Sequence, residues 1–156
     1  MYVETLMRTD LKTCAPGDTL HRAAQTMWEH DLGFLPVVDA EKRLVGIITD
    51  RDICMAAFTQ GVGLASANVA SAMTRNTLSC PPRASLDDAA ALMASRQLRR
   101  LPVIDRFGKL VGVLTLADLA RHAQATNTLR RTFAGAKLAS VLAKVYAPRA
   151  AAAAAE

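Results

Sequence analysis

Apolar and polar positions follow a fixed order in the first third of the chain. Residues 18–30 place apolar side chains three and four positions apart, which predicts an amphipathic helix. Two short apolar runs follow at residues 34–39 and 43–49, and the polar turn between them predicts paired strands. A short extended segment, residues 11–14, precedes the helix and stops before a proline, because proline cannot extend a paired strand. A second helix is predicted to begin at Thr49.

The same order returns 66 residues later without an insertion. Residues 7–53 align with residues 73–119, and more than a third of the aligned positions are identical, including the runs LPVVD and LPVID. Such similarity at a fixed spacing marks a tandem duplication. Each repeat has the order strand, helix, strand, strand, helix and is too small to bury its apolar faces alone. The sequence therefore predicts an α/β (α+β) fold in which the two repeats pack against each other.

The heptads GIITDRD and GVLTLAD close the last predicted strand of each repeat and share their Gly, Thr and Asp. Thr49 with Asp52, and Thr115 with Asp118, have the spacing of a capping box, with Asp in place of the usual Glu or Gln. Alternatively, the helix N-terminus faces a cleft, where its free N–H groups attract phosphate while Thr and Asp bind phosphate or ribose oxygens. From the residues alone, helix capping is the favoured interpretation.

Composition limits the class of protein. The chain has 156 residues, 51% of them hydrophobic, which suits one ordinary domain or two small ones. Cys14, Cys54 and Cys80 are an odd number without metal-ligand spacing, which indicates a reduced, cytoplasmic protein. The first ten residues lack the pattern of a signal peptide. The longest uncharged stretch, residues 53–74, is interrupted by glycine and polar residues, so no membrane segment is expected.

The net charge of +5 is concentrated at the C-terminal end. Residues 1–66 carry six basic and nine acidic side chains, whereas residues 121–156 carry six basic and one acidic. Nucleic acid is therefore not an expected ligand of the body, and a solvated helix face is the favoured interpretation of the basic tail. Residues 128–146 have helical periodicity, and an Ala-rich, low-complexity end follows them.

The combination of VETLM or VASAM, LPVVD or LPVID, and LVGIITDRD or LVGVLTLAD resembles the cystathionine beta-synthase (CBS) domain. Two such domains in tandem resemble a Bateman module, and the resemblance covers residues 3–122. It implies a pseudo-twofold pair of small sheets that binds adenine nucleotides in clefts between the repeats, often within a disc-shaped dimer. The predicted boundaries are residues 1–60 for repeat one, 61–70 for a linker, 71–124 for repeat two, and 125–156 for the basic C-terminal helix and Ala-rich tail.

The resemblance also implies site residues. It makes Thr49, Asp52, Thr115 and Asp118 contacts to ribose and phosphate, which reverses the preference for simple capping. Backbone and apolar groups at the end of the first strand and the start of the second enclose the adenine in the family. The corresponding positions are Thr13, Cys14, Phe34, Leu35, Pro36, Ser79, Cys80, Leu101 and Pro102. Which repeat supplies which wall of a cleft is left open by the sequence.

The two repeats differ at one place beside the predicted site. Repeat two has Arg99 and Arg100 where repeat one has Gly33 and Phe34. Such a pair is either solvated or binds phosphate, for which the planar guanidinium is well suited. Arg51 is a weaker phosphate candidate. The hypothesis from sequence is two unequal clefts, of which the one lined by Arg99 and Arg100 binds phosphate more tightly.

The function expected from the sequence is a stand-alone, non-enzymatic regulatory module that responds to AMP, ADP or ATP. No cofactor is required, no metal motif is present, and the expected partners are a second copy of the chain and an unknown regulated protein. His21, His30 and His122 are scattered and form no catalytic or metal-binding motif. The alternative is a structural or interaction module whose clefts are empty or hold S-adenosylmethionine, and whose basic C-terminal helix engages a partner protein or nucleic acid.

Overall fold

A computed structural model describes residues 1–61, 63–126 and 135–147. The helices and strands are α1 (Leu20–Glu29), β1 (Phe34–Val38), β2 (Leu44–Thr49), α2 (Asp50–Gln60), α3 (Leu86–Ser95), β3 (Arg100–Ile104), β4 (Leu110–Thr115), α4 (Leu116–Thr126) and α5 (Gly135–Val145). Single turns of 3-10 helix lie at Val3–Thr5 and Val69–Ser71. The predicted α/β fold of two equivalent repeats is confirmed.

The first predicted strand of each repeat is shorter than expected. Residues 11–14 pair only at a single parallel bridge, from Cys14 to Val37, and residues 77–80 pair only from Cys80 to Val103. Proline follows both segments closely and has no N–H group with which to continue the ladder. The strand prediction was therefore correct in position and wrong in extent.

The two hairpins place the candidate Thr residues at one edge of each sheet. The antiparallel strands β1 and β2 pair Phe34 with Thr49, and β3 and β4 pair Arg100 with Thr115. Both turns use a residue with positive φ at the same position, Lys42 at 62° and Gly108 at 78°. Equal registers and equal turns follow from the duplicated sequence.

The first helix of each repeat begins after a residue with a hydroxyl side chain. Thr19 accepts the N–H of Arg22 at 3.2 Å, and Ser85 accepts the N–H of Asp88 at 3.0 Å. The apolar stripes of α1 and α3 then pack on the hairpins and form two separate cores. Their largest fully buried members are Leu20, Leu35, Ile48, Met93, Leu101, Leu114 and Leu119.

The repeats are interlocked by the segments at their N-terminal ends. Val3 is fully buried in the core of repeat two and donates its N–H to the carbonyl of Ala84 at 2.9 Å. Val69 and Met73, which lie where repeat two begins in the sequence, are buried in the core of repeat one. Neither repeat therefore completes its core from its own contiguous stretch of chain.

Two glycines permit this interlocking. A Cβ atom at Gly46 would lie 2.9 Å from the carbonyl oxygen of Thr74, and one at Gly112 would lie 3.2 Å from that of Arg8. In the same places Arg8 exchanges backbone hydrogen bonds with Val113, and Thr74 does so with Ile47. The shared glycine of the two heptads thus makes room for the backbone of an entering segment.

The helix α5 covers repeat two. Val141 and Val145 are buried against α3 and α4, and Leu138 and Leu142 pack beside them. Helix in the predicted tail is confirmed over Gly135–Val145. The rest of the predicted tail helix before Gly135 and the Ala-rich end after residue 147 lie outside the described residues.

Candidate functional site

A cavity of about 230 Å³ lies between the two repeats. Its lining residues are Arg8, Asp10, Leu11, Lys12, His30, Leu32, Phe34, Pro36, Val113 and Thr115. Phe34 and Pro36 come from β1 of repeat one, whereas Thr115 comes from the end of β4 in repeat two. The sequence left open which repeat supplies which wall of a cleft. In this cavity both repeats supply wall residues.

Both Thr–Asp pairs form capping boxes. The N–H and hydroxyl of Thr49 donate to Asp52 Oδ2 at 2.8 and 2.7 Å, and the N–H of Asp52 donates to Thr49 Oγ1 at 3.1 Å. Thr115 and Asp118 repeat this arrangement at 2.9, 2.6 and 3.2 Å. The helix-capping interpretation is confirmed, and it fixes the orientation of both carboxylates.

The two carboxylates differ in what their second oxygen contacts. Asp118 is 4% exposed, and its Oδ1 accepts from Arg8 Nε at 3.1 Å and from the guanidinium of Arg121. Asp52 is half-buried and forms no salt bridge among the residues the structure describes. The sequence contains the cause, because the counterparts of Arg8 and Arg121 in the other repeat are Thr74 and Met55.

Arg8, Lys12 and His30 were missed by the sequence reasoning. They are cationic or titratable groups on the walls of the cavity that contains Thr115. All three belong to repeat one or to the segment before it, so only the folded interlocking brings them beside a residue of repeat two. Their counterparts in the other repeat, Thr74, Leu78 and Arg96, are different residue types. This difference between the repeats was the one signal in the sequence that could have identified them.

The predicted adenine positions separate into two groups in repeat one. Phe34 and Pro36 line the cavity, whereas Leu35 is fully buried in the first core. Thr13 is exposed, and the N–H of Cys14 donates to the carbonyl of Pro36 at 3.1 Å. Alternation of side chains along β1 explains why neighbouring residues face a cleft and a core.

Repeat two repeats the same backbone arrangement. The N–H of Cys80 donates to the carbonyl of Pro102 at 3.0 Å, Ser79 is half-buried, and Leu101 is fully buried. Burial, with a smaller effect from Asp18, raises the pKa of Cys14 to about 12, and burial raises that of Cys80 to about 11. The two thiols lie in different cores, and each is a buried small residue of its own core.

Arg99 and Arg100 contact other parts of the chain. The guanidinium of Arg100 lies 4.2 Å from the centroid of the Phe34 ring and donates to the carbonyl of Gly33 at 3.1 Å. Burial lowers the pKa of Arg100, while the carboxylates of Asp50 and Asp52 act in the opposite direction. The guanidinium of Arg99 lies 4.6 Å from the ring centroid of Tyr146. Arg51 is exposed in the first turn of α2.

No cluster of three His, Cys, Asp or Glu side chains that could hold a metal ion occurs in residues 1–61, 63–126 and 135–147. None of the helices in those ranges has the length and apolar character needed to cross a membrane.

Comparison with protein families matches residues 3–58 and 69–125 to the CBS domain. The chain belongs to the CBS domain family. Its two repeats are two CBS domains in tandem, as the resemblance implied. It is 37% identical over 139 residues to the CBS domain-containing protein YhcV of Bacillus subtilis, covering 89% of this chain and 94% of that protein.

Solved CBS domain pairs share this fold. The structure of CBSX2 in complex with AMP superposes with a TM-score of 0.72 at 32% identity, covering 81% of this chain and 98% of that chain. The CBS domain pair of protein MJ0100, in complex with 5'-methylthioadenosine and S-adenosyl-L-methionine, has a TM-score of 0.73 at 26% identity and the same coverage. Structural relatives of this chain thus bind AMP or S-adenosylmethionine.

Proposed function

We propose that this CBS pair is a regulatory module that binds an adenine nucleotide, AMP, ADP or ATP, in the cavity between its repeats. The observation that carries the proposal is the composition of that cavity: Phe34, Pro36 and Thr115 line it together with the basic residues Arg8 and Lys12. An aromatic surface, a hydroxyl and cations are what the base, ribose and phosphate of a nucleotide require. The AMP complex of CBSX2 supports the same ligand class.

Each part of the nucleotide has a proposed contact. The adenine lies against Phe34 and Pro36 and reaches the backbone of residues 12–14, which pairs with β1 through Cys14. The ribose lies near Thr115, the capping residue of α4. The corresponding groups of the second cleft are Thr49 and Asp52, with the backbone around Cys80 and Pro102.

Arg8 is the proposed phosphate ligand. Its Nε already donates to Asp118, which holds the guanidinium at the cavity wall. A guanidinium has five N–H donors, so the other four remain for phosphate oxygens without loss of that ion pair. Asp118 therefore acts as a positioning residue, and an anionic nucleotide is favoured over the cationic sulfonium of S-adenosylmethionine.

The clefts are proposed to be unequal in the opposite sense to the sequence hypothesis. Arg99 and Arg100 contact Tyr146, Phe34 and Gly33, and a ligand would have to replace those contacts. Arg8 is held by Asp118 in an orientation that leaves donors available. We therefore assign the tighter phosphate binding to the cavity lined by Arg8 and Lys12, and the weaker to the cleft of Arg99 and Arg100.

Ligand-dependent melting tests the proposed function. A ligand that binds only the folded state raises its melting temperature with the logarithm of ligand concentration. AMP, ADP and ATP are each expected to raise the melting temperature of the wild-type protein. No shift with any of them would contradict the proposal, and a shift with S-adenosylmethionine alone would favour the alternative ligand found in the MJ0100 complex.

We also propose that the protein acts in the cytoplasm as a homodimer, is not itself an enzyme, and regulates an activity carried by another protein. The exposed side chains of Phe58 and Met55 on α2 support a surface for self-association. Analytical ultracentrifugation of the wild type and of Phe58→Ala tests this. A dimer weakened by the substitution is expected, and a monomer at all concentrations would contradict it.

A further inference from the structure

Two residues at equivalent positions of the two repeats contact each other. Phe34 is the first residue of β1, and Arg100, 66 residues later, is the first residue of β3. The guanidinium of Arg100 lies 4.2 Å from the centroid of the Phe34 ring. The duplicated position therefore meets its own copy between the repeats, as an aromatic residue in one repeat and a cation in the other.

Only one member of this pair belongs to the nucleotide cavity. The described residues that line the cavity include Phe34, Pro36 and Thr115 but not Arg100. The Phe34 side chain is half-buried, so part of it faces the cavity while another part is covered by the guanidinium. Arg100 thus contacts the aromatic wall of the cavity from outside.

Arg100 also holds the backbone that precedes this wall. Its Nη1 donates to the carbonyl of Gly33 at 3.1 Å. The same carbonyl accepts the N–H of Asp50 at 3.4 Å, whereas the equivalent main-chain bond in repeat two, to the carbonyl of Arg99, is 3.0 Å. The start of β1 is therefore joined to its following helix by a longer bond than the start of β3, and Arg100 supplements that bond.

Carboxylates of α2 hold the guanidinium in this position. The Cβ position of Gly33 is 3.5 Å from Asp50 Oδ2 and 3.7 Å from Arg100 Nη2, so both groups lie on the same side of that glycine. Burial lowers the pKa of Arg100, and Asp50 and Asp52 oppose this effect by attracting its positive charge. The guanidinium therefore lies between the ring and two carboxylates, and each side restrains it.

A fixed ring is what an adenine needs for stacking. Stacking depends on the distance and orientation of the two ring systems, and a cation that lies over an aromatic ring is attracted by it. Arg100 therefore restrains the ring of Phe34 while the part that faces the cavity remains available to a base. The second cleft has Arg100 itself at the equivalent position and so lacks this aromatic wall.

We propose that Arg100 is a positioning residue of the nucleotide cavity, whose guanidinium holds the Phe34 ring in the orientation in which it stacks on adenine. Arg100 acts through Phe34 and does not itself contact the nucleotide in that cavity. The inference rests on the proposed nucleotide binding and adds to it a residue beyond the cavity wall.

A double-mutant cycle on AMP binding tests the proposal. Calorimetry follows the tighter AMP site in the wild type, Arg100→Met, Phe34→Leu and the double variant. Methionine keeps an unbranched side chain and removes the guanidinium. Arg100→Met is expected to weaken AMP binding about fivefold in the wild-type background and to have no further effect in the Phe34→Leu background. An equal loss in both backgrounds would overturn the proposal, because Arg100 would then act independently of the ring.

Two controls separate stacking from the effect of charge on phosphate. Arg83→Met removes an exposed arginine outside the cavity and is expected to bind AMP as the wild type does. The loss caused by Arg100→Met is expected to be the same at about 0.05 M and about 0.5 M salt, because salt screens a distant charge but not a stacked ring. A loss that disappears at high salt would overturn the proposal.

A second variant keeps the proposal falsifiable if Arg100→Met does not fold. Arg100→Lys keeps a positive charge beside Asp50 and Asp52 but has no planar group to stack on the ring. It is expected to bind AMP about threefold more weakly, and wild-type affinity would overturn the role of the guanidinium. A wild-type protein that does not bind AMP would contradict the proposed function and this inference together. AMP binding that both Arg100 variants leave unchanged would contradict this inference alone.

Discussion

At the scale of single residues, both Thr–Asp pairs cap a helix, which is one of the two roles that the sequence presented as alternatives. In repeat two, Thr115 also lines the cavity between the repeats. The cap fixes the carboxylate through its Oδ2, so its other oxygen can hold an arginine. Capping is therefore the means by which Arg8 is positioned.

The unequal surroundings of the two carboxylates predict unequal effects on stability. Asp118→Asn removes a buried charge that two arginines contact, and is expected to lower the free energy of unfolding by about 2 kcal/mol. Asp52→Asn removes a half-buried carboxylate without such ion pairs and is expected to cost about 1 kcal/mol or less. Urea denaturation measures both, and equal losses would argue against the Arg8–Asp118 interaction.

The buried thiols predict a dependence of stability on alkaline pH. Burial raises the pKa of Cys14 from 9.0 to about 12 and that of Cys80 to about 11, so both stay neutral in the folded protein. In the unfolded chain they ionise near their ordinary pKa, which lowers the free energy of the unfolded state as pH rises. Stability from these groups is thus complete below pH 9 and is expected to decline from pH 9 to about 11. Urea midpoints across this range, compared with Cys14→Ala, measure the decline; unchanged dependence in the variant would contradict it.

Thiol reactivity provides a separate check of burial. Cys54 is exposed, whereas Cys14 and Cys80 are buried. At neutral pH the native protein is expected to react with a thiol reagent at Cys54 alone, and at all three cysteines after denaturation. Rapid reaction of Cys14 in the native protein would contradict the assigned core.

At the scale of elements, hydrophobic periodicity predicted the helices and hairpins because it depends on neighbours in sequence. It placed α1, β1, β2 and the start of α2 within a few residues of their observed bounds. It did not predict that Val3 completes the core of repeat two, because that contact joins segments about eighty residues apart. The glycine shared by the two heptads was the one sequence feature consistent with the close approach of another backbone segment to β2 and β4.

The close approach of another backbone segment to these glycines predicts that a larger side chain there lowers the stability of the protein. Gly46→Ala would place a methyl group 2.9 Å from the carbonyl oxygen of Thr74, and is expected to destabilise the protein by about 1–3 kcal/mol. Gly17→Ala is the matched control, since nothing lies within 4 Å of its Cβ position. Thermal unfolding of the two variants measures the difference, and a Gly46→Ala protein as stable as the control would contradict the close approach.

At the scale of the whole molecule, duplication produced two repeats with the same fold, and the divergence of their sequences made the two repeats unequal. Repeat two is covered by α5, whereas repeat one leaves Trp28 exposed. The cavity between the repeats takes its basic side chains from one repeat and its Thr115 from the other. The sequence predicted the candidates Phe34, Pro36 and Thr115 by resemblance. It could not bring Arg8 and Lys12 to them, because their proximity exists only after the two halves interlock.

Calorimetric titration of ATP into the wild type, Lys12→Ala and Arg83→Ala tests the central claim most directly. Lys12 lines the cavity, and Arg83 is an exposed residue of equal charge outside it. The account predicts that Lys12→Ala binds ATP about tenfold more weakly, because a charge-assisted contact to phosphate is lost, and that Arg83→Ala binds as the wild type does. Equal affinity of Lys12→Ala and wild type, or no binding of ATP by the wild type, would contradict it.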